Sequence, residues 1–447
     1  MAIDSINEKV GRYRWTICAL LFFATTINYL DRQVLSLLQP QLAGLFHWTD
    51  SDYGTIVGVF SIAYAISMLF AGRIVDFLGT KKGYAWSIVL WSVGAMVHAF
   101  AAFVPGKILG FSFARTVLAV GESGNFPAAI KATAEYFPKK DRALATGIFN
   151  SGANIGAILA PLSIPWIAIH LGWQAAFIII GGLGFLWVIA WLLLYEIPSK
   201  NKKLGKTEYE YIHTDDLVEV HYIEKESETE GKEFSYLDCL KYKQTWAFAF
   251  GKFMTDGVWW FFLFWTPAYL KAQYGMTGME IVLPIAVLYS ITVIGSVGGG
   301  AFPTVFINRG LDPYAGRMKA MIIIAVFPLC ILLAQRLGHI NYWWAIIMIA
   351  IGASAHQAWS ANLFTTVSDM FPKKATATIV GIGGMAGGIG SFLINKGSGV
   401  LFDYSAAHWG SKEPGYTIVF IICAVAYVSA WMVMKSLVPK FNPIRDL

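Results

Sequence analysis

Charge is what this 447-residue chain has least of. Only 14% of its residues are Asp, Glu, Lys or Arg, against about 25% in a soluble globular protein. So little charge cannot build a water-facing surface, which excludes an ordinary soluble domain. Cysteine is as scarce. Cys18, Cys239, Cys330 and Cys423 are scattered, with no C-x-x-C pair and no histidine at ligand spacing, so neither a disulfide framework nor a metal site is supported. There is no Walker phosphate loop, hence no sign of ATP-driven work. No nucleophile stands beside a base, so the chain does not read as an enzyme. The stretch GIGGMA at 381–386 fits G-x-G-x-x-A, but no strand precedes it, and small residues that let membrane helices approach are the better account. No cofactor is implied. The net charge is +6, yet the basic residues sit in short clusters between apolar runs and form no basic face, so nucleic acid is not an expected partner.

What is abundant is apolar. The chain is 56% hydrophobic and carries 17 Trp and 20 Tyr, whose amphipathic rings favour the membrane interface. Runs long enough to cross a bilayer, roughly 20 residues each, fall at 15–39, 54–74, 83–103, 107–129, 142–168 and 173–195. They resume at 246–270, 280–303, 317–336, 341–364, 375–400 and 416–437. Only a helix lets an isolated segment satisfy its own backbone in lipid, so the expected fold is an all-α membrane protein of twelve spans. The first run follows Lys9, Arg12 and Arg14 but is too long for a signal-peptide core and lacks a cleavage site, so it is expected to stay as a span.

Positive charge orients the spans. One set of loops holds Arg73, Lys81 and Lys82, then Lys139, Lys140 and Arg142, then Arg309, Arg317 and Lys319, then Lys373 and Lys374. The opposite loops hold at most one basic residue each. The Lys/Arg-rich side is expected to be cytoplasmic, with both termini on it, in the cell's inner (cytoplasmic) membrane. EYFPKKDRALATGIFNSGANIG begins at Glu135 and DMFPKKATATIVGIGGMAGGIG at Asp369. A matching motif at matching positions about half a chain apart points to a duplicated half. The expected organisation is a six-helix bundle at 1–196, a charged cytoplasmic linker at 197–244 that reads as a solvated tether, and a second six-helix bundle at 245–447.

Ionisable residues inside spans are functional candidates by default, because each costs about 2.5–3.5 kcal/mol near the bilayer centre on insertion scales. The first span holds Asp31 and Arg32; the fourth holds Arg115 and Glu122. Arginine keeps its charge, and its planar fork matches a carboxylate, so Arg32 and Arg115 are candidates to hold an anionic substrate. A carboxylate can change charge with its surroundings, so Asp31 and Glu122 are candidates to carry a coupling proton. The bland reading is that Asp31 neutralises Arg32 and Glu122 neutralises Arg115.

GRIVDFLGTKKGY between the second and third spans resembles the loop signature of the major facilitator superfamily, with Gly72, Asp76 and Gly79 in place as gating or structural residues and Phe77 where that signature has arginine. NYLDR, GESGNFPA, FNSGANIGAILAP and AHQAWSANLFTTVSDMFP resemble the anion:cation symporters within it, nearest to bacterial hexuronate transporters. The resemblance implies proton symport of a sugar acid into the cell. Asp31 and Glu122 match protonation sites. Arg32, Arg115, Tyr29 and Tyr64 match substrate contacts. Sugar rings pack on aromatics and bond to amides, so Gln357, Trp359 and Asn362 on the tenth span are further candidates, with Trp259, Trp260 and Trp265 crowding the seventh beside Asp256. The expected partners are a small anionic substrate, a proton (sodium being the alternative) and the bilayer, for a chain acting as a monomer. An exporting antiporter is the alternative function. Pro161 follows the fifth span's glycines instead of forming the Gly-Pro pair of drug antiporters, which argues against it.

Overall fold

A computed structural model describes residues 10–214, 236–371 and 373–444; among them there are helices and no strands. Every predicted span is helical. The first seven helices are α1 (Tyr13–Phe46), α2 (Asp50–Leu78), α3 (Thr80–Val97), α4 (Lys107–Glu122), α5 (Asn125–Tyr136), α6 (Lys139–Leu171) and α7 (Trp173–Leu194). Two short helices follow, α8 (Lys206–Ile212) and α9 (Tyr236–Cys239). Then come α10 (Lys243–Tyr274), α11 (Val282–Ala301), α12 (Thr304–Ile307), α13 (Pro313–Val326), α14 (Ala334–Gly338), α15 (Tyr342–Met370), α16 (Lys373–Trp409) and α17 (Glu413–Leu437). Local chemistry sets the boundaries. Thr49 and Asp52 form a reciprocal capping box that starts α2, satisfying N–H groups the first turn leaves free. Gly79 and Gly172 turn the chain from α2 to α3 and from α6 to α7 at φ of +75° and +89°, a region that penalises any Cβ.

Among the described residues, eight helices are long and apolar enough to cross a membrane; the chain is a multi-pass membrane protein. The predicted spans that miss that threshold are the first, fourth, seventh and tenth. The fourth is divided between α4 and α5 at Ser123–Gly124. The other three carry Asp31 and Arg32, Lys252 and Asp256, and His356, Gln357 and Asn362. The polar groups that make these helices interesting are also what lowers their apolarity.

α1 packs on α6, and α3 packs on α4 and α7. Further along, α10 packs on α16 and α17, and α11 on α15. Between the two sets, α2 meets α16, α6 meets α11, and α1 meets α10. The duplicated motif has a common structural role. Phe137 closes α5 and Pro138 caps the start of α6; Phe371 closes α15 before α16 begins. Pro372 of the second copy lies outside the described residues. In the glycine runs that follow, a Cβ on Gly156 would run into the Thr26 carbonyl of α1, and one on Gly390 into the Phe253 carbonyl of α10. Close backbone approach is therefore what both copies encode, as the reading of GIGGMA anticipates.

The linker, expected to be solvated with short amphipathic helices, is docked at its start through the short helix α8. The Glu208 carboxylate of α8 accepts hydrogen bonds from the Tyr13 and Arg14 amides at 3.0 and 2.9 Å and pairs with the Arg14 guanidinium at 3.3 Å. The Tyr211 hydroxyl donates to Asp141 at 2.8 Å. Free N–H groups and the positive end of the dipole at the start of α1 attract this carboxylate. Residues 215–235 of the linker, and the termini whose side was predicted (1–9 and 445–447), lie outside the described residues. In the loop after α2, Asp76 pairs with Lys131 of α5 at 2.6 Å, while Phe77 is exposed. Nothing crowds Gly72. Beyond α7, Glu196 pairs with Lys81 at 2.8 Å, which holds its carboxyl below the ordinary range.

Candidate functional site

The buried charges of α1 and α4 meet, but not in the pairs that sequence adjacency suggested. Arg32 donates from Nε and Nη2 to Oε2 of Glu122, at 2.8 and 2.6 Å. The bond crosses from one helix to the other, and both residues are buried. Asp31 follows a different direction around α1, because consecutive helical residues diverge by about 100°. Neither of its carboxylate oxygens has a hydrogen-bond partner among the described residues, and nor does Oε1 of Glu122. The intrahelical neutralisation of Asp31 by Arg32 is not what the geometry shows.

Arg115 has 0% relative exposure. Its two terminal nitrogens donate to the backbone carbonyl of Arg32 at 3.3 and 3.2 Å, and its Nε has no partner. Among the described residues it forms no salt bridge. A full positive charge is thus held against a neutral carbonyl, beside a second guanidinium that has its own carboxylate.

Aromatic faces wall these cations. The Arg32 guanidinium lies 5.0 Å from the ring centre of Tyr29, 5.1 Å from Tyr64, 5.5 Å from Phe60 and 5.0 Å from Trp260. Arg115 lies 5.2 Å from Phe60 and 5.7 Å from Phe264. Cation–π contacts of this kind hold a desolvated guanidinium without neutralising it. Tyr29 and Tyr64, both expected from the sequence, are therefore in the cluster. Trp260 and Phe264 come from α10, so the second half of the chain reaches the charges of the first.

The second half also has a charge pair that sequence reasoning missed. Lys252 and Asp256, one turn apart on α10, pair at 2.6 Å, with side chains 8% and 14% exposed. Lys252 also lies 4.5 Å from the ring centre of Phe364. Oppositely charged residues four apart within an apolar run were the available signal.

The tenth-span candidates are placed less centrally. Asn362 is buried between helices, where its amide nitrogen donates to the carbonyls of Gly299 and Ala358, both at 2.8 Å. Trp359 is fully buried and packs edge-on against Tyr427. Gln357 is half-buried on α15. His356 bonds to the Tyr427 hydroxyl at 3.0 Å and stacks on Trp259. Trp265 donates to Asn395 at 3.0 Å. The structure brings Tyr29, Arg32, Tyr64, Arg115 and Glu122 together; among the described residues no hydrogen bond, ion pair or ring contact joins Gln357, Trp359 or Asn362 to them.

Beyond this cluster, at the end where α1 finishes and α2 begins, polar contacts tie the two halves. The Asp403 carboxylate accepts from the Asp50 and Ser51 amides at 3.0 and 2.7 Å, and Lys412 pairs with Asp50 at 2.6 Å. Lys396 donates to Ser51 and Thr55 at 2.9 and 2.6 Å, and Lys271 to the Pro40 carbonyl at 2.6 Å.

Comparison with known proteins agrees with this architecture. The sequence model described as Major Facilitator Superfamily matches residues 21–394. The chain is 32% identical over 431 residues to the hexuronate transporter of Escherichia coli (strain K12), covering 96% of each chain. It is 31% identical over 298 residues to the galacturonate transporter of Dickeya chrysanthemi, covering 67% of this chain and 84% of that one. Among solved structures, a D-xylose-proton symporter superposes with a TM-score of 0.71 at 14% identity, over 97% of this chain and 100% of the other. A bacterial homolog of the human lysosomal transporter Spinster, inward-facing and unoccupied, gives 0.74 at 17%, again over 97% and 100%. At these identities the two structures speak for the fold alone.

Proposed function

The chain belongs to the Major Facilitator Superfamily, and from that premise we propose that it imports a sugar acid of the hexuronate class together with a proton. The relatives named for hexuronate and galacturonate supply the substrate class. The observation that carries the mechanism is the bond from Arg32 to Glu122 beside the unpaired Arg115. Arg115 receives the substrate carboxylate, and Arg32 completes the clamp by turning its fork from Glu122 to the incoming anion. Glu122 is then an isolated buried charge, which is costly enough that it takes a proton. Substrate and proton therefore bind with a mutual coupling free energy, as linkage requires. Asp31, buried beside them, is the second candidate to hold a proton. Tyr29, Tyr64 and Trp260 wall the sugar ring, with Gln357 a contact from α15.

The units that move about this site are the bundles 1–196 and 245–447, joined by 197–244. The Lys/Arg-rich ends and both termini lie on the cytoplasmic side of the inner membrane, and the Asp403–Asp50 contacts lie on the outer side. Uptake of labelled glucuronate by cells or proteoliposomes tests the assignment. Unlabelled glucuronate or galacturonate competes, and glucose does not even in large excess, because a neutral sugar leaves buried cations unpaired, a defect that rejects analogues by about 10⁴-fold or more. Efficient competition by glucose refutes the reading.

A further inference from the structure

Lys252 and Asp256 have no part in the carboxylate clamp, and their position calls for another role. We propose that this pair reads the hydroxyl groups of the transported sugar acid and forms the second pole of the site; the proposal rests on the sugar-acid reading above. On α10, Lys252, Asp256, Trp260 and Phe264 follow one another at intervals of four, each about 40° round from the last, so neighbours in the series share a face. Trp260 touches Arg32 and Phe264 touches Arg115, at 5.0 and 5.7 Å. Asp256 therefore lies near the face of Trp260, about 6 Å along the axis, and its partner Lys252 about 12 Å along and about 80° round. A carboxylate held by the arginines, with its ring on Trp260, brings its far hydroxyls to Asp256.

A structural role explains the pair poorly. A buried ion pair is weak evidence for stability, since apolar replacement of both members is often neutral or stabilising. Lysine before the acid is also the less favourable order along a helix. The pair is less sealed than the clamp: its side chains are 8% and 14% exposed, against 5% for Arg32 and 0% for Glu122. The ammonium has three donors and the carboxylate about four acceptor sites, and their mutual bond uses one of each. What remains suits a diol, whose hydroxyls both donate and accept. The pair is also held in place, because a Cβ on Gly387 of α16 would run into the Asp256 carboxylate. Asn362, the amide first expected to read hydroxyls, has its donors engaged by Gly299 and Ala358.

The test compares binding of glucuronate with that of cyclohexanecarboxylate, which keeps the ring and the carboxylate and lacks the hydroxyls, on purified full-length protein by competition. Lys252→Met/Asp256→Leu is expected to weaken glucuronate by at least about 100-fold, the loss of two charge-assisted hydrogen bonds, and to leave cyclohexanecarboxylate unchanged. Asp256→Asn conserves volume and decides the matter if the double variant does not fold: it weakens glucuronate, alters its ratio to galacturonate, and again leaves cyclohexanecarboxylate unchanged. Unchanged glucuronate affinity in the variants overturns the proposal, as does an equal loss for both ligands, which assigns the pair to folding or to the clamp. A wild-type protein that binds neither hexuronate overturns the sugar-acid reading and this proposal with it.

Discussion

Glu122→Gln separates binding from coupling. The substitution conserves shape and leaves a carbonyl oxygen for Arg32, which now meets Oε2 at 2.8 and 2.6 Å. It replaces the carboxylate partner with a neutral amide oxygen, so the bonds keep one charged member instead of two. Hydrogen bonds to charged groups contribute about 1.5–3 kcal/mol, and removing one of the two charges takes away on the order of 1–2 kcal/mol of the hold on Arg32. At 1.36 kcal/mol per factor of ten, the anion should bind about 5- to 30-fold more tightly at alkaline pH, where the wild-type carboxylate competes for Arg32. Accumulation is lost. A monoanion carried with one proton moves without net charge, and one pH unit, acid outside, concentrates it about tenfold. The same anion carried alone against 100 mV, negative inside, meets about 2.3 kcal/mol and is excluded roughly 50-fold. In proteoliposomes Glu122→Gln should therefore retain substrate counterflow while failing to concentrate substrate under a pH gradient. Accumulation to the wild-type level would refute the assignment and move the proton to Asp31.

The other expectations are simpler. Arg115→Ala, and separately Arg32→Ala, should abolish uptake while leaving folded protein in the membrane, since truncating one member of a buried charged contact costs about 2–5 kcal/mol; normal anion affinity in either variant removes that residue from the clamp. Arg115 is the cleaner case, because it leaves only a carbonyl behind, whereas removing Arg32 also strands Glu122. Asn362→Ala should lower stability by about 1–3 kcal/mol, read as thermal unfolding in detergent, because the Gly299 carbonyl loses its side-chain donor. A changed preference among sugar acids in the same variant assigns the unpartnered Oδ1 of Asn362 to the substrate, and an unchanged preference assigns the residue to packing alone.

The difference between Asn362 and Glu122 shows what the sequence could carry. A charge inside an apolar span is rare enough to be noticed, and Asp31, Arg32, Arg115 and Glu122 were identified on that ground. Their partners were not legible, because helical phase and helix packing decide them: Arg32 bonds across to α4 rather than to its neighbour. An amide mid-span has two explanations of similar cost, a ligand contact or a bond to a neighbouring backbone; the Asn362 nitrogen makes the second, to Gly299 and Ala358, while its Oδ1 has no partner among the described residues. Lys252 was passed over because it sits six residues into the run 246–270, where a lysine reads as an interfacial residue reaching out to water. α10 begins at Lys243 and buries it. The twelve helical stretches were legible since apolar length is a one-dimensional property, and the repeat since it recurs in order. The docking of Glu208 on α1 was not, because a charged linker gives no sign of which free helix end it will find.

The contacts from Lys396, Asp403 and Lys412 to the start of α2 bear on a requirement of the proposed carrier, an end that both holds and releases. An anion at a helix N-terminus contributes about 0.3–1 kcal/mol, rising to about 2 when partly buried. Asp403 occupies that position against the Asp50 and Ser51 amides, although the two halves meet there from distant parts of the sequence. Lys412 on Asp50 and Lys396 on Ser51 and Thr55 add charged bonds, in which the lysines keep partial access to water while Asp50 is buried. Water screens them from the lysine side only. These polar contacts contribute a few kcal/mol, the same order as the 1–3 kcal/mol by which one ligand typically shifts another's site, beside the close packing of α2 on α16, where a Cβ on Gly399 would run into the Asp50 carbonyl. In the proposed cycle, a substrate bridging Arg115 on α4 and the Trp260 face of α10 draws on both halves at once, and its differential affinity for the two arrangements is what moves them.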